Sequence, residues 1–321
     1  MQIGKDINRA IELLNAKEVL GLPTETVYGL AANAFEDDAV LKIFQVKNRP
    51  SFNPLIIHTN SMDKVKSFVK SIPKKAHLLG EAFWPGPLTL LLPKSEKIGD
   101  LVTSGSPLVA VRIPNHPLTL DLLSQLNYPL AAPSANKFGS ISPTIPEAVA
   151  GQLGDGVKYI LDGGLCNIGI ESTIIGFEDD KVIIYRTGGL SLEDIEEVIG
   201  TVQVNEKSHE KPLTSGMLKS HYAPSTPFYV GDIDKMLFQF PDKKIGVLSY
   251  QKNYSENVKT SFVLSPNGSL QETAKNLFNY MRLIDEIDLD VILAEYVPHH
   301  GLGRGVNDRL QRASYKYNKT E

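Results

Sequence analysis

Cysteine is nearly missing: Cys166 stands alone in 321 residues, which excludes an intrachain disulfide and a thiolate metal cluster within one chain. No apolar run approaches the roughly 20 residues needed to cross a bilayer. The amino terminus also lacks a basic segment followed by a hydrophobic secretory core, so a cytoplasmic enzyme is the economical expectation. The 7 histidines include no His-Glu-x-x-His spacing, and the adjacent His299-His300 reads as a polar turn. Positive charge is not in excess: a formal net charge of -4 argues against broad, sequence-independent coating of nucleic acid, although a local phosphate pocket stays open. What is present is an ordinary folded composition, 42% hydrophobic and long enough for a substantial core in two domains.

The most informative deficit is local. From Ala39 to Met62 there is no Asp or Glu, yet Lys42, Lys47, Arg49 and His58 all fall there. Ala39 to Phe44 reads as an amphipathic helix, after which Lys47-Asn48-Arg49-Pro50 sets two cations beside a stiff turn. A guanidinium offers phosphate or carboxylate a planar fork, and an ammonium offers a compact charge. The plain structural reading is that basic residues favour the carboxyl end of any helix and that Pro50 stops this one.

Elsewhere the chain alternates helices and strands. Ile7 to Leu14 has helical spacing and should cover a sheet; Val19 to Pro23 reads as a buried strand with Thr24-Glu25-Thr26 at its end. There Thr24 either orients a ligand or caps the next turn while Glu25 faces water. Leu55 to His58 is a short strand whose histidine either contacts a ligand or makes one backbone hydrogen bond. Trp84-Pro85-Gly86-Pro87 is a rigid turn before the strand starting at Leu88, with Trp84 as a core wedge. In Leu108 to Pro114, alternation puts Arg112 on one face with Leu108 and Ala110. A buried arginine there needs an acceptor, either Glu25 or a substrate carboxylate.

Ser134 and Asn136 are two residues apart and face one ligand if extended. Ser142 or Thr144 is placed to cap a helix near Glu147, in a loop that is neither a Gly-rich Rossmann pattern nor a Walker loop. Glu171-Ser172-Thr173 precedes one apolar strand, and Arg186 ends another. Ser191 should cap the last helix of a first domain. From about Asn205 to Thr226 the periodicity fades into a linker, followed by strands near Phe228, Ile245, Phe262 and Val291 and a long helix from Leu270 to Ile284. Gly301 to Gly305 suits either a phosphate cradle or a structural turn.

Four separated segments now resemble one family in its own order: Leu22 to Leu30, Lys47-Asn48-Arg49-Pro50, Val111-Arg112-Ile113-Pro114 and Pro133-Ser134-Ala135-Asn136. They are similar to the nucleotide-binding domain of YrdC-like threonylcarbamoyl-adenylate synthases, and Gly216-Met217 with His221-Tyr222-Ala223-Pro224 resembles the two-domain form. The resemblance implies an α/β fold: a curved, open, mainly parallel sheet over residues 1–204, a linker over the pocket at 205–227, and a smaller Rossmann-like α/β domain at 228–321. It implies ATP with Mg2+, L-threonine and bicarbonate or carbon dioxide as substrates. The products are threonylcarbamoyl-adenylate and pyrophosphate, the first passed to machinery that modifies tRNA.

By the same resemblance, Lys47 and Arg49 are catalytic, Thr24, His58, Arg112 and Ser134 hold threonine, and Lys47, Arg49, Asn136, Ser142, Thr173, Arg186, His221 and Tyr222 hold ATP. The linker departs from the family in lacking an arginine before the His-Tyr pair. Three other readings compete: an RNA-binding module, a different nucleotidyl-transferring enzyme such as a carbamoyl-phosphate-using maturation factor, and a nucleotide sensor. The acidic balance weighs against the first, and limited length with one cysteine against the second.

Overall fold

The computed structural model describes residues 1–178, 181–205 and 218–317. Gly216 and Met217 therefore lie outside the described residues. In chain order the elements are β1 (Gln2–Gly4), α1 (Ile7–Asn15), β2 (Leu20–Leu22), β3 (Gly29–Asn33), α2 (Asp37–Lys47), β4 (Ile56–His58), α3 (Met62–Lys66), α4 (Lys74–Phe83), β5 (Leu88–Pro93), α5 (Asp100–Thr103) and β6 (Leu108–Arg112). There follow α6 (Pro117–Gln125), β7 (Leu130–Ala131), α7 (Pro146–Leu153), β8 (Tyr159–Leu161), β9 (Thr173–Glu178), β10 (Lys181–Arg186), α8 (Leu192–Ile199) and β11 (Gln203–Val204). The second sheet region holds β12 (Phe228–Val230), α9 (Ile233–Leu237), β13 (Ile245–Ser249), β14 (Thr260–Val263), α10 (Leu270–Asp285), β15 (Val291–Ala294) and α11 (Gly303–Ser314).

The first sheet runs β1-β8-β2-β3-β7-β4-β6-β5-β9-β10-β11. Its expected mainly parallel character needs correction. The junctions β2 to β3, β3 to β7, β7 to β4, β6 to β5 and β9 to β10 are antiparallel, and they match in number the parallel junctions β1 to β8, β8 to β2, β4 to β6, β5 to β9 and β10 to β11. Short apolar strands such as β4 read alike in either direction, because burial on both faces removes the alternation that marks an antiparallel pair. The main core packs Ile57, Leu90, Val109 and Val111 with Val40, Ile43 and Leu79. Opposite it, α1 and α6 cover Leu20, Leu22 and Leu130.

Alternation then decides the site. Val109 and Val111 enter the main core, so Ala110 and Arg112 face the other way. His58 pairs with Arg112, and Thr89 on the far side does too. Thr89 pairs with Ile174, which pairs with Arg186 across a register shift between Ile184 and Arg186. Val182 and Ile184 point into the main core. An unbroken strand would send Arg186 after them, and the irregularity re-aims it into the row that holds His58 and Arg112.

The second sheet is all parallel, in the order β12-β15-β13-β14. It carries α10 and α11 on one face and α9 on the other, a Rossmann-like arrangement. Its core continues into the first domain, since Val27, Ile141 and Ile170 pack with Tyr222, Phe278, Val306 and Leu310. Among the described residues no helix is long and apolar enough to cross a membrane.

Several expectations meet local corrections. Neither Ser142 nor Thr144 caps α7, whose N-cap is Ile145 without a side-chain bond and whose first turn carries Pro146. Gly301 to Gly305 is the structural alternative: Gly303 opens α11, and a Cβ on Gly305 would crowd Ile170 and the backbone of Gly188. Ser191 does cap α8, accepting from the amide of Asp194.

Gly169 has a left-handed φ of +82°, and a Cβ there would run into the backbone of Ala274 and Lys275 in α10. Gly169→Ala should therefore destabilise the chain by about 1–3 kcal/mol and loosen the two sheets from each other. Thermal unfolding and limited proteolysis measure this; an unchanged melting temperature and cleavage pattern would contradict the close approach.

Candidate active site

Helix α2 ends in a Schellman turn. Asn48 takes a left-handed φ of 49°, its amide donating to Gln45 and that of Arg49 to Phe44, at 3.2 and 3.0 Å. This turn sends Lys47 and Arg49 to different places. The Lys47 ammonium is 1% exposed and donates to the carbonyls of Ser134, at 2.5 Å, and Asn136. It sits beneath the cavity and holds the Ser134–Asn136 loop. Burial, reinforced by the charge of Arg49, lowers its pKa well below the ordinary value. Arg49 lines the cavity, with Nε donating to Asn53 O at 3.1 Å and Nη2 to Pro54 O at 3.0 Å.

The cavity is narrow, about 40 Å³, and is lined by Thr24, Thr26, Arg49, His58, Arg112, Ser134, Glu171, Ser172, Arg186, His221 and Tyr222, with apolar neighbours. The His221–Tyr222 segment forms one of its walls. The rings of these two residues lie 4.1 Å apart, and Tyr222 packs against Phe278 at 5.3 Å. Tyr222 has φ 63°, a left-handed backbone that a bulky residue holds only when its surroundings impose it. The carboxyl-terminal helix imposes part of it: Arg312 Nη1 donates to Leu218 O at 2.5 Å, and the His221 amide donates to Arg312 O.

Arg112 has the acceptor that a buried arginine needs. Its Nη2 lies 2.7 Å from Glu25 Oε2, and Nη1 and Nε donate to Thr26 Oγ1 and Gly86 O, yet it still lines the cavity. Glu25 is buried beside it rather than facing water. Thr24 does cap its turn, accepting from the amides of Thr26 and Val27 while lining the cavity. Arg186 donates from Nε and Nη2 to Ser172 O at 3.1 and 2.9 Å.

His58 is neutral. Burial first, then the charge of Arg112, push its pKa down to about 3 despite its bond to Ile56 O. Because a carbonyl only accepts, Nδ1 at 3.2 Å from Ile56 O carries the proton and Nε2 is left as an acceptor. Such a nitrogen suits an amine or hydroxyl, is a weak base, and does not suit a carboxylate.

Other expected residues shape the walls. The Thr173 hydroxyl donates to Leu190 O, Ser142 donates to Glu171 Oε1 at 2.6 Å, and Asn136 Nδ2 donates to Lys137 O and Ser140 O while its buried Oδ1 has no hydrogen-bond partner among the described residues. None of these three lines the cavity. Glu171 and Arg309 were not among the expected residues. The signal for Arg309 was legible: it shares a helical face with Val306, Leu310 and Ala313, all buried, and a cation on an apolar face needs an acceptor.

A cation-lined cavity beside a second domain suits an anionic ligand. The comparisons name the class. Residues 12–188 match the family model described as "Telomere recombination", and residues 190–314 match "Threonylcarbamoyl-AMP synthase, C-terminal domain". The chain is 40% identical to the threonylcarbamoyl-AMP synthase of Pyrococcus abyssi (strain GE5 / Orsay), over 96% of this chain and 94% of that one. It is 39% identical to that of Bacillus subtilis (strain 168), over 96% and 92%. The crystal structure of P. abyssi Sua5 complexed with L-threonine superposes with a TM-score of 0.92, at 38% identity over 98% of each chain. The chain belongs to the two-domain threonylcarbamoyl-AMP synthase family and is an enzyme whose reaction forms threonylcarbamoyl-adenylate.

Burial also depresses His221 to about 3; Glu171 opposes this, and the charges of Arg49, Lys47 and Arg312 add to it. An unfolded histidine titrates near about 6.5. Below that pH the unfolded chain binds protons that the folded chain refuses, so stability falls as pH drops from about 6.5, by about 1.4 kcal/mol per pH unit for each such histidine. His58→Gln should remove about that much slope between about pH 6.5 and about pH 4.5, where carboxylates remain ionised. Denaturant unfolding across this window measures it, and an unaltered slope would mean that His58 is already charged when folded.

Proposed function

We propose that this cavity joins ATP, L-threonine and bicarbonate or carbon dioxide into threonylcarbamoyl-adenylate and pyrophosphate. The observation that carries this reading is the row set by strand register. Arg112 and Arg186 converge with Arg49 on one cavity; each donates to a backbone carbonyl, which carries no net charge, and Arg112 also shares its charge with Glu25. The threonine amine must be uncharged to capture carbon dioxide, and the resulting carbamate must attack the α-phosphate as pyrophosphate leaves. Both partners are anionic, so the main task is to offset their repulsion and the charge growing on the phosphoryl oxygens.

Arg112 is the partner of the amino-acid carboxylate, His58 Nε2 accepts from its amine or hydroxyl, and Thr24 and Ser134 complete that end. Arg49 and Arg186 face the triphosphate, and the unused acceptor of Asn136 is available to the nucleotide. Lys47 acts by holding the Ser134–Asn136 loop, and Ser142 and Thr173 support the wall. No group of three His, Cys, Asp or Glu among the described residues could hold a metal, and the lining carboxylate Glu171 is already bonded to Ser142 and Arg309. Mg2+ is accordingly read as part of the nucleotide substrate, held by phosphates and water.

The chain divides functionally into a catalytic unit at 1–204, a linker at 205–227 and a covering domain from 228. Residues 221 and 222, within the linker, line the cavity. A location in the cytoplasm, with release of the adenylate to a tRNA-modifying transferase complex, fits this chemistry. The P. abyssi protein has also been solved with an adjacent His-Tyr pair changed to alanine, at a TM-score of 0.90 to this chain. His221-Tyr222 is this chain's His-Tyr pair.

Purified protein supplied with ATP, L-threonine, bicarbonate and Mg2+ should release pyrophosphate and the mixed adenylate together, each dependent on threonine and bicarbonate. ATP hydrolysis without the adenylate would defeat the reading. Arg112→Lys keeps a charge for Glu25 but loses the fork, so the KM for threonine should rise by about 10–100-fold with that for ATP nearly unchanged; equal effects on both would reassign Arg112. Tyr222→Ala should speed hydrolysis of the bound adenylate, measured in single turnover, and unchanged leakage would remove any sealing role.

A further inference from the structure

We propose that Arg309, supplied by the second domain, is a positioning residue for the triphosphate subsite: it takes up the charge of Glu171, so that Arg186 presents its own to the nucleotide. The inference rests on the reading of the cavity given above and concerns a residue outside the catalytic unit.

Arg309 is fully buried. Its Nε and Nη2 donate to Glu171 Oε2 at 3.0 and 2.9 Å, while Nη1 donates to the carbonyls of Thr187 and, at 3.3 Å, Gly305. Asp308 Oδ2 is also 3.3 Å from Nη1, and the guanidinium carbon lies 5.6 Å from the centre of the Tyr222 ring. Glu171 and Thr187 each stand next to a part of the Arg186 site. Glu171 precedes Ser172, whose carbonyl anchors Arg186, and Thr187 follows Arg186 itself. One side chain from α11 thus grips both strands that frame Arg186.

Electrostatics gives this grip a purpose. A carboxylate on the wall of a triphosphate site repels the incoming phosphates and draws the nearest guanidinium to itself. With Oε1 engaged by Ser142 and Oε2 by Arg309, Glu171 is turned toward the second domain. Without Arg309 the same carboxylate would be buried with no neutralising partner on that side, and Arg186 would be its natural replacement. Arg186 would then serve Glu171 at the nucleotide's expense.

Kinetics of Arg309→Met and of the double variant Glu171→Gln/Arg309→Met, each checked by thermal unfolding, test the idea. Arg309→Met should raise the KM for ATP about tenfold or more while the KM for threonine moves by less than about threefold. The double variant, with both charges gone, should return the KM for ATP to within about threefold of the unmodified enzyme. A folded Arg309→Met with unchanged KM for ATP overturns the proposal, as does a defect that the double variant does not relieve. Should Arg309→Met fail to fold, the double variant decides alone: a KM for ATP near that of the unmodified enzyme supports the proposal, and a tenfold loss overturns it. Failure of the underlying reading would appear separately, as unmodified enzyme that forms no adenylate from ATP and threonine.

Discussion

Cations held by neutral carbonyls are the constraint on which this structure turns. Removing a charged group from water costs several kcal/mol even after relaxation, and the usual remedy is an opposite charge. Here Lys47 donates to the carbonyls of Ser134 and Asn136, Arg49 to those of Asn53 and Pro54, and Arg186 to the carbonyl and hydroxyl of Ser172. Hydrogen bonds to a charged group are worth about 1.5–3 kcal/mol each, so a pair of them recovers much of the desolvation cost. A carbonyl donates no proton and carries no net charge, so the positive potential survives. A carboxylate in the same place would have stabilised the fold and cancelled the site.

The exceptions obey the same logic. Glu25 and Glu171 are acids buried beside these cations, and each is paired with an arginine: Arg112 for Glu25, Arg309 for Glu171. Burial works against a charged Glu171, yet Arg309, Arg186 and the Ser142 hydroxyl outweigh it and hold its carboxyl below the ordinary range. A guanidinium has five donors in a plane, so Arg112 makes three contacts and still lines the cavity.

Much of the site was legible because its residues break local rules. An acid-free stretch around Lys47 and Arg49, a lone arginine in an apolar strand, and paired Ser134 and Asn136 are anomalies that composition alone exposes. Their partners were not legible. Whether the Lys47 ammonium meets a phosphate or a carbonyl depends on a left-handed residue at Asn48 and on a loop far along the chain. The direction of Arg186 depends on a register shift that leaves no mark in an apolar strand. Strand direction was lost for a related reason: sequence reports burial of β4 and β7 but not the sense of their pairing, so a half-antiparallel sheet read as mainly parallel.

The second domain is a parallel sheet in the order β12-β15-β13-β14 with helices on both faces, and its Gly303 and Gly305 serve close packing. Its contribution to chemistry comes from what α10 and α11 press against the first domain. Phe278 backs the Tyr222 ring, Arg312 holds the chain just before it at Leu218 and His221, and Arg309 stands under it. These contacts keep Tyr222 in a backbone conformation it would not choose alone. Tyr222 and Glu171 both line the cavity, so the helix that carries Arg309 and Arg312 braces two parts of its wall at once.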